Sequence, residues 1–232
     1  MKLGIIGAME QEVETLVGLL ENPRTLTRAG RNYYEGKLDG LDAVVVQCGI
    51  GKVNAALCVQ VLCDVFGVTH VVNTGIAGSL KPELDIGDLV ISRDAMYHDV
   101  DCVHFGYTMG QMPGMPVTYE ADQSLVELAF AAAEEVNPGH MVLGRVASGD
   151  QFVAEKALKE KIIIVTGAHC TEMEGCAIAH AAFQNGIPFV IIRAISDKAD
   201  DSAEMDYPTF ERIAAHRCAA VTRIFAKTLK NL

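Results

Sequence analysis

The sequence predicts an α/β protein, a single three-layer domain in which helices flank a mixed central β-sheet. Short unbroken apolar runs, typical of strands buried on both faces, alternate with segments of helical spacing. The chain has 21 glycines and only 7 prolines, which suits tight turns between strands and helices. Its 232 residues, 50% of them hydrophobic, contain no internal repeat and no change of composition. We therefore expect one domain over residues 1–232.

The first third of the chain alternates strand and helix patterns. Residues 2–8, KLGIIGA, predict a buried strand, and residues 10–22 carry apolar side chains at helical spacing. Two strands joined by an Asp-Gly pair, a strong hairpin signal, are predicted within residues 32–49. A helix rich in Ala, Leu and Val is predicted at 52–66. Residues 70–78, HVVNTGIAG, predict a short strand that runs into a glycine turn.

The middle of the chain contains its longest irregular stretch. The pattern predicts a strand at residues 88–96, a helix at 122–136 and another strand at 141–148. Between the first strand and the helix lie residues 97–121, which glycines and prolines interrupt repeatedly. Loops of that length in compact domains are usually functional or interfacial.

The last third continues the alternation to its end. A short helix is predicted near residues 154–160, followed by a strand at 161–166, KIIIVT. A helix at 172–185, a strand at 187–195 and a long final helix at about 206–230 complete the chain. Strands thus follow one another through helical connections, as a three-layer α/β domain requires.

Composition argues against several classes of function. The formal net charge is −11 and no basic run occurs, which speaks against nucleic-acid binding. No stretch approaches the roughly 20 apolar residues of a membrane span, and the first apolar run is too short for a signal peptide. The 7 cysteines are odd in number and lack a C-x-x-C pair, so we expect reduced thiols and a cytoplasmic protein.

The segment TEMEGCAIAH, residues 171–180, allows two interpretations of Glu174. Thr171 and Glu174 fit the S/T-x-x-D/E capping box, a device worth about 0.5–2 kcal/mol to a helix. A carboxylate at a helix entrance can instead face a pocket and hold the hydroxyl groups of a ligand. These ten residues alone favour the cap.

Several polar groups are expected to converge on one edge of the sheet, because ligands of open α/β sheets bind outside the carboxyl ends of the strands. Three carboxylates, one arginine and several glycine turns follow predicted strands there. Arg193 lies within an otherwise apolar strand, where its charge is costly unless it has a buried partner or a use. Strand alternation places Arg193, Ile195 and Asp197 on roughly one side.

Two other patterns carry little weight. The GIGK turn at residues 49–52 fails the dinucleotide fingerprint, because Asn54 stands at its third glycine position, and it fails the P-loop pattern as well. His98, Asp99, Asp101 and His104 are metal-ligand types, but their spacing matches no known zinc pattern. We expect a structural or interface role for these four, and neither a metal nor a cofactor.

Six motifs together resemble those of one enzyme family. In chain order they are GIIGAMEQEVE, GIGKVNAA, NTGIAGSL, SGDQF, EMEGCAIAH and RAISDKAD. The ordered set, which runs through almost the whole chain, is similar to the 5′-methylthioadenosine/S-adenosylhomocysteine nucleosidases of the nucleoside phosphorylase-like superfamily. The resemblance implies that superfamily's fold, and it shifts the interpretation of Glu174 from helix cap to ribose ligand.

The resemblance implies a hydrolase that cleaves the N-glycosidic bond of 5′-methylthioadenosine, S-adenosylhomocysteine and 5′-deoxyadenosine to adenine and the 5-substituted ribose. Glu12 would activate the attacking water, with Arg193 nearby and its guanidinium on the water side. Asp197 would protonate N7 of the base. The sequence does not rank these three substrates.

The resemblance also implies the residues that bind the nucleoside. Glu174 would hold the ribose diol beside the backbone of Met173, Phe152 would stack on adenine, and the backbone of Val153 would meet the base edge. The TGIAG segment would contribute Ala77 and Gly78. The pocket for the 5′-substituent would be lined by Met9, Ile50 and Tyr207, and by Phe105 and Pro113 of the partner subunit, which implies a homodimer.

Three positions depart from the family pattern. Ile76 stands where a Ser or Thr usually supports the catalytic Asp, Tyr207 replaces a usual Phe, and Cys102 replaces an apolar residue of the partner-derived wall. The loss of a hydroxyl at position 76 leaves open how Asp197 is held.

Three rival functions remain open on the sequence. A nucleoside phosphorylase would need cations around a phosphate, whereas the first turn offers Glu12. Hydrolases of related nucleosides, such as futalosine or AMP, are closer alternatives, although no phosphate clamp suited to AMP is visible. A non-catalytic nucleoside sensor of the same fold is the alternative from another class, and product release would distinguish it from an enzyme.

Overall fold

A mixed β-sheet forms the centre of the protein in the computed structural model, which describes residues 1–200 and 203–230. The described residues form ten strands: β1 Lys2–Gly7, β2 Glu21–Arg28, β3 Arg31–Leu38, β4 Leu41–Gln47, β5 His70–Ser79, β6 Leu89–Tyr97, β7 Tyr119–Glu120, β8 Met141–Ser148, β9 Cys170–Glu172 and β10 Phe189–Asp197. The same part of the chain forms six α-helices: α1 Glu10–Gly18, α2 Lys52–Asp64, α3 Gln123–Val136, α4 Lys156–Thr166, α5 Gly175–Asn185 and α6 Ala203–Leu229.

The strands are ordered β10-β6-β8-β9-β5-β1-β4-β3-β2, and β7 pairs with β6. Because β10 also pairs with β5, one end of the sheet closes on itself. Parallel pairs join β1 to β4 and β5, β10 to β5, and β6 to β8, whereas the hairpin strands β2, β3 and β4 are antiparallel. The carboxyl ends of β1, β5 and β10 therefore meet at one edge.

Two apolar cores lie on the two faces of this sheet. One contains Ala55 and Leu62 of α2 together with Ile178 of α5. The other contains Leu16 of α1, together with side chains from α3 and α6. Helices thus cover both faces of a mixed sheet, and the predicted fold class, a three-layer α/β domain, is confirmed.

Residues 161–166 were predicted as a strand, and that prediction is wrong, since they form the second half of α4. The apolar KIIIVT run suggested a fully buried strand, but only Ile162 and Thr166 are buried, at helical spacing. Ile164 is 84% exposed. Gly167, with φ of 63°, ends the helix in the left-handed conformation that glycine adopts readily.

The strand at residues 70–78 does not end in a glycine turn. It continues as β5 to Ser79, through Gly75 and Gly78, and pairs with β10 along its length. Glycine within a strand often marks a place where another group approaches the backbone closely. Gly75 and Gly78 both mark such places in β5.

Three strands, β2, β7 and β9, were not predicted from the sequence. β2 is an edge strand whose side chains are almost all exposed, so it lacks the buried alternation that identifies a strand, and helix α1 ends at Gly18 instead of near residue 22. β9 is only three residues long, and α5 consequently begins at Gly175, later than predicted. Residues 97–121 are largely irregular, as predicted, apart from a 3₁₀ turn at Val103–Phe105 and β7.

In the described ranges, 1–200 and 203–230, no helix is long and apolar enough to cross a membrane. All seven cysteines are free thiols, and most of them are buried in the apolar cores.

Candidate active site

A cavity of about 500 Å³ opens at the edge of the sheet where β1, β5 and β10 end. It brings together all of the sequence-predicted site residues except Arg193, Phe105 and Pro113. Those that line it are Met9, Glu12, Ile50, Ala77, Gly78, Phe152, Val153, Met173, Glu174, Asp197 and Tyr207. Segments far apart in the chain therefore converge where an open α/β sheet binds its ligand.

Glu12 is held at the floor of this cavity by backbone amides. Its Oε2 accepts hydrogen bonds from the amides of Ala8, at 2.6 Å, and Met9, at 2.9 Å, at the start of α1. Its Oε1 accepts from the amide of Ile76 in β5, at 3.0 Å. Burial raises the pKa of Glu12, and Arg193 and these amides oppose the rise. The result is a fixed carboxylate with more basic character than an exposed glutamate.

Gly75 makes the approach of Glu12 to Arg193 possible. It pairs in register with Arg193 of β10. A Cβ at position 75 would collide with both Nη1 of Arg193 and Oε1 of Glu12. The sequence suggested that this glycine belongs to a turn. In the structure its missing side chain leaves the space in which Glu12 and Arg193 face each other.

Arg193 lies beneath the cavity and is 1% exposed. Its Nη2 donates to Asn73 Oδ1 and to Glu172 Oε2, and its Nη1 donates to the carbonyl oxygen of Ile76 at 3.3 Å. The same guanidinium is 3.9 Å from Glu12 and 3.8 Å from Glu174. Burial alone would lower the pKa of Arg193, but the three carboxylates outweigh it and raise that pKa, so the side chain stays charged.

Glu174 stands immediately before α5 and points across the cavity to α2. Its Oε1 accepts a hydrogen bond of 2.8 Å from the amide of Gly51, the residue that precedes α2. Burial raises the pKa of Glu174 to about 8, and the neighbouring Glu172 carboxylate adds to the rise. Arg193 and the Gly51 amide oppose it. One face of Glu174 is therefore fixed by the backbone, while the side chain still lines the cavity.

The capping box suggested by the sequence does not form. Thr171 lies in β9, and its buried hydroxyl has no hydrogen-bond partner. Glu172 takes the capping role instead, because its Oε2 accepts from the amides of Glu174, at 3.1 Å, and Gly175, at 2.7 Å. Sequence reasoning gave Glu172 no function. The signal that could have found it is the requirement of a buried Arg193 for a partner.

Asp197 is positioned by three features at the end of β10. The register of the strand shifts between Ile195 and Asp197. The hydroxyl of Ser196 donates to Asp197 Oδ2 at 2.8 Å, and the amide of Ala199, which has φ of 51°, donates to Oδ1 at 2.8 Å. Ser196 thus donates a hydroxyl hydrogen bond to Asp197. Ile76, which has no hydroxyl group, cannot provide one.

An apolar rim surrounds the open side of the cavity. The rings of Phe152 and Tyr207 meet edge to face, with centroids 5.5 Å apart, and the Tyr207 hydroxyl lies 3.1 Å from the sulfur of Met9. Phe152 is 51% exposed and Ile50 is 54% exposed. These side chains offer flat and aliphatic surface to an incoming ligand.

Phe105 and Pro113 lie outside this cavity. Phe105 belongs to the 3₁₀ turn at Val103–Phe105 and is 77% exposed, with its ring against His104. Among the metal-ligand types noted in the sequence, Asp99 forms an ion pair of 2.6 Å with Lys52. The residues described contain no group of His, Cys, Asp and Glu side chains that could hold a metal ion.

The family model of the phosphorylase superfamily matches residues 2–227 of the chain. A relative from Geobacillus kaustophilus (strain HTA426), named 5′-methylthioadenosine/S-adenosylhomocysteine nucleosidase, is 42% identical over all of this chain and 99% of its own length.

Solved structures give the same result for the fold. The 5′-methylthioadenosine/S-adenosylhomocysteine nucleosidase of Neisseria meningitidis, in complex with methylthio-immucillin-A, has a TM-score of 0.96 at 38% identity and covers 98% of this chain and 99% of its own. The futalosine hydrolase of Helicobacter pylori strain 26695 has a TM-score of 0.94 at 32% identity, and the match covers 100% of this chain and 98% of that one.

The raised pKa of Glu174 predicts a specific dependence of stability on pH. Below a pH of about 4.5 the residue is protonated in both folded and unfolded chains; between 4.5 and about 8 only the unfolded chain ionises it. The unfolding free energy of the wild type, relative to Glu174→Gln, should therefore fall across that interval and level off above it. Urea unfolding from pH 4.5 to 9 measures this, with the exposed Glu135→Gln as control; a constant difference would contradict the burial argument.

Proposed function

Because the chain belongs to the phosphorylase superfamily and, within it, to the 5′-methylthioadenosine/S-adenosylhomocysteine nucleosidases, we propose that it hydrolyses the N-glycosidic bond of these two nucleosides. The products are adenine and the free 5-substituted ribose. The single observation that carries the proposal is the cavity in which Glu12, Glu174 and Asp197 surround a site large enough for a nucleoside.

Glu12 is the proposed general base. A water molecule between Glu12 and C1′ of the ribose would lose a proton to the carboxylate as its oxygen bonds to C1′. The three backbone amides fix the direction of the carboxylate, and burial makes it a stronger base. Arg193, 3.9 Å away, supports its position without forming a direct hydrogen bond with it.

Asp197 is the proposed general acid. As the bond between C1′ and N9 breaks, its electron pair moves into the adenine ring, and a proton from Asp197 to N7 lets the base leave neutral. Ser196 and Ala199 hold the two carboxyl oxygens in fixed directions, which supports a role that depends on orientation.

The remaining cavity residues match the parts of the substrate. Glu174 would accept hydrogen bonds from the ribose diol beside Met173, and Phe152 would stack on adenine with the backbone of Val153 at the base edge. The carboxylates also disfavour phosphorolysis. Among the described residues that line the cavity there is no lysine and no arginine to bind phosphate, and Glu12 would repel it.

The apolar 5′ region decides between related substrates. Met9, Ile50 and Tyr207 provide aliphatic, sulfur and aromatic surface, which suits a thioether or a bare 5′-methyl group, so 5′-deoxyadenosine is included in the proposal. Futalosine is the alternative that the Helicobacter pylori structure supports. The two nucleosidase names at higher identity favour the main proposal.

We propose a homodimer with a shared pocket wall. A second groove, of about 530 Å³, lies between α2, α5 and the 97–121 stretch, and it exposes the apolar side chains of Val53, Leu57 and Met112. Phe105 projects from the same stretch. Apolar surface of this kind on a folded protein marks an interface, and a partner subunit placed there would bring its Phe105 and Pro113 to the 5′ region. The free thiols support a cytoplasmic location.

Hydrolysis predicts full activity without phosphate. Adenine release from methylthioadenosine should proceed at the same rate in phosphate-free buffer, and Glu12→Gln should lower kcat by roughly 10²–10⁴-fold while preserving substrate binding, because it removes a base and keeps its shape. Chromatography of the products, with binding measured by calorimetry, provides both readouts. A phosphate-dependent sugar 1-phosphate would exclude this reaction, and turnover of futalosine alone would favour the alternative.

The role of Asp197 can be tested at the atom on which it acts. A 7-deaza substrate lacks the nitrogen that would accept the proton, so the wild type should lose most of its rate on it. Asp197→Asn should lose about 10²–10⁴-fold on the ordinary substrate and little more on the 7-deaza compound. Single-turnover kinetics measure both. If the rate loss from Asp197→Asn and the rate loss from the 7-deaza substrate multiply in full, Asp197 acts at an atom other than N7.

The shared wall predicts complementation between two impaired variants. Sedimentation should give about twice 24.9 kDa. Glu12→Gln and Phe105→Ala should each be weakly active, yet subunit exchange should restore activity, because one site of each hybrid then combines an intact Glu12 with an intact Phe105 from the partner. A fully active monomer, or a mixture no more active than its parts, would contradict the shared site.

A further inference from the structure

Glu172 is a buried carboxylate that the reaction proposed above does not use. It lies in β9 between two segments that carry site residues, and its side chain is 3% exposed. Together with Glu12 and Glu174 it forms a group of three carboxylates around the single guanidinium of Arg193.

Glu172 accepts hydrogen bonds on both of its carboxylate oxygens. The hydroxyl of Ser148 donates to Oε1, while the amides of Glu174 and Gly175 and Nη2 of Arg193 all donate to Oε2. Four donors, one of them a guanidinium, are a good match for a negatively charged acceptor. Gly175 allows this arrangement, because a Cβ there would lie 3.1 Å and 3.2 Å from the two carboxylate oxygens.

The three carboxylates are not equivalent partners of Arg193. Glu172 is in direct hydrogen-bond contact with the guanidinium, whereas Glu12 and Glu174 stand off at 3.9 Å and 3.8 Å. Glu12 and Glu174 are fixed by backbone amides instead and face the cavity. Nη2 of Arg193 thus bonds to Glu172 and Asn73, and Nη1 bonds to the carbonyl oxygen of Ile76, so neither nitrogen donates directly to Glu12 or Glu174.

We propose that Glu172 is a positioning residue for this reaction: by pairing directly with Arg193, it keeps the guanidinium out of contact with Glu12 and Glu174, which stay available to the water and the ribose diol. The inference rests on the proposed function, because it assigns Glu172 to the same chemistry. Without the Glu172 charge, Arg193, which lies 3.9 Å from Glu12 and 3.8 Å from Glu174, is free to close to direct hydrogen-bond contact with them. Such a contact would stabilise the Glu12 carboxylate and weaken it as a base.

The pH dependence of Glu12 involves every charged or titratable group that faces it. From β10 these are Arg193 and Asp197, and from β9 and the segment before α5 they are Glu172 and Glu174. Among the described residues, Tyr207 and Cys218 of α6 and Cys48 after β4 also face it. Of these, Glu172 is the one in direct contact with the guanidinium, so its neutralisation should act on Glu12 through Arg193.

Glu172→Gln tests the proposal, because it keeps the shape and a capping oxygen but removes the charge. With methylthioadenosine as substrate, kcat should fall about ten- to a hundredfold, less than on removal of the base itself. KM should rise as well, because Arg193 would then compete with the ribose diol for Glu174. The ascending limb of the pH profile of kcat/KM should shift to lower pH. Ser148→Ala, which keeps all charges and removes one donor, should shift it less in the same direction, and the exposed Glu135→Gln should leave it unchanged.

A readout without turnover separates this proposal from the function on which it rests. The ¹³C resonance of the Glu12 carboxyl group, titrated in the unliganded protein, should show a lower pKa in Glu172→Gln than in the wild type. An unaltered Glu12 titration and an unaltered pH profile, with only a lower melting temperature, would reduce Glu172 to a helix cap and overturn the proposal. If Glu172→Gln does not fold, the Ser148→Ala titration decides by the same criterion. An inactive wild type would refute the function instead.

Discussion

A guanidinium buried in an apolar sheet is the constraint on which the rest of this site depends. Arg193 is 1% exposed in the middle of β10, where an isolated charge would cost several kcal/mol. The fold meets this cost with three carboxylates from two distant parts of the chain and with the Asn73 and Ile76 oxygens. Gly75 leaves the space for them. The cavity therefore lies beside the paired strands β5 and β10, where Arg193 meets its carboxylate partners.

Helix starts and strand ends hold the carboxylates in different ways, which supports the different roles proposed for them. Glu12 accepts hydrogen bonds from backbone amides at the start of α1, and Glu172 accepts them at the start of α5. The N-terminus of a helix is a natural binding site for an anion. Glu174 spans the gap to Gly51. Asp197 depends instead on a shifted strand register and on Ser196. Their directions are fixed before any ligand arrives, which is what electrostatic catalysis requires.

The sequence predicted most of the fold and, through its resemblance to a family, the side chains that line the cavity. It failed where local pattern and tertiary context disagree. KIIIVT has the composition of a buried strand, yet Ile164 faces solvent on a helix. The TGIAG glycines suggested a turn. Only the pairing of β5 with β10 shows that Gly75 instead leaves space for the side chains of Arg193 and Glu12. Glu172 was missed for the same reason: its partner Arg193 lies in a different strand, and the two side chains meet only in the folded protein.

The balance of charge connects this architecture to the chemistry. Glu12, Glu172, Glu174 and Asp197 all line the cavity, and the first three surround one guanidinium, so the site carries excess negative charge whenever those three are ionised. Burial opposes that state and raises the pKa values of Glu12 and Glu174. A neutral nucleoside relieves little of the repulsion, whereas an oxocarbenium-like sugar, positive at C1′, relieves it directly. The same burial that makes the empty site costly therefore favours the transition state over the substrate, which is the condition for a faster chemical step.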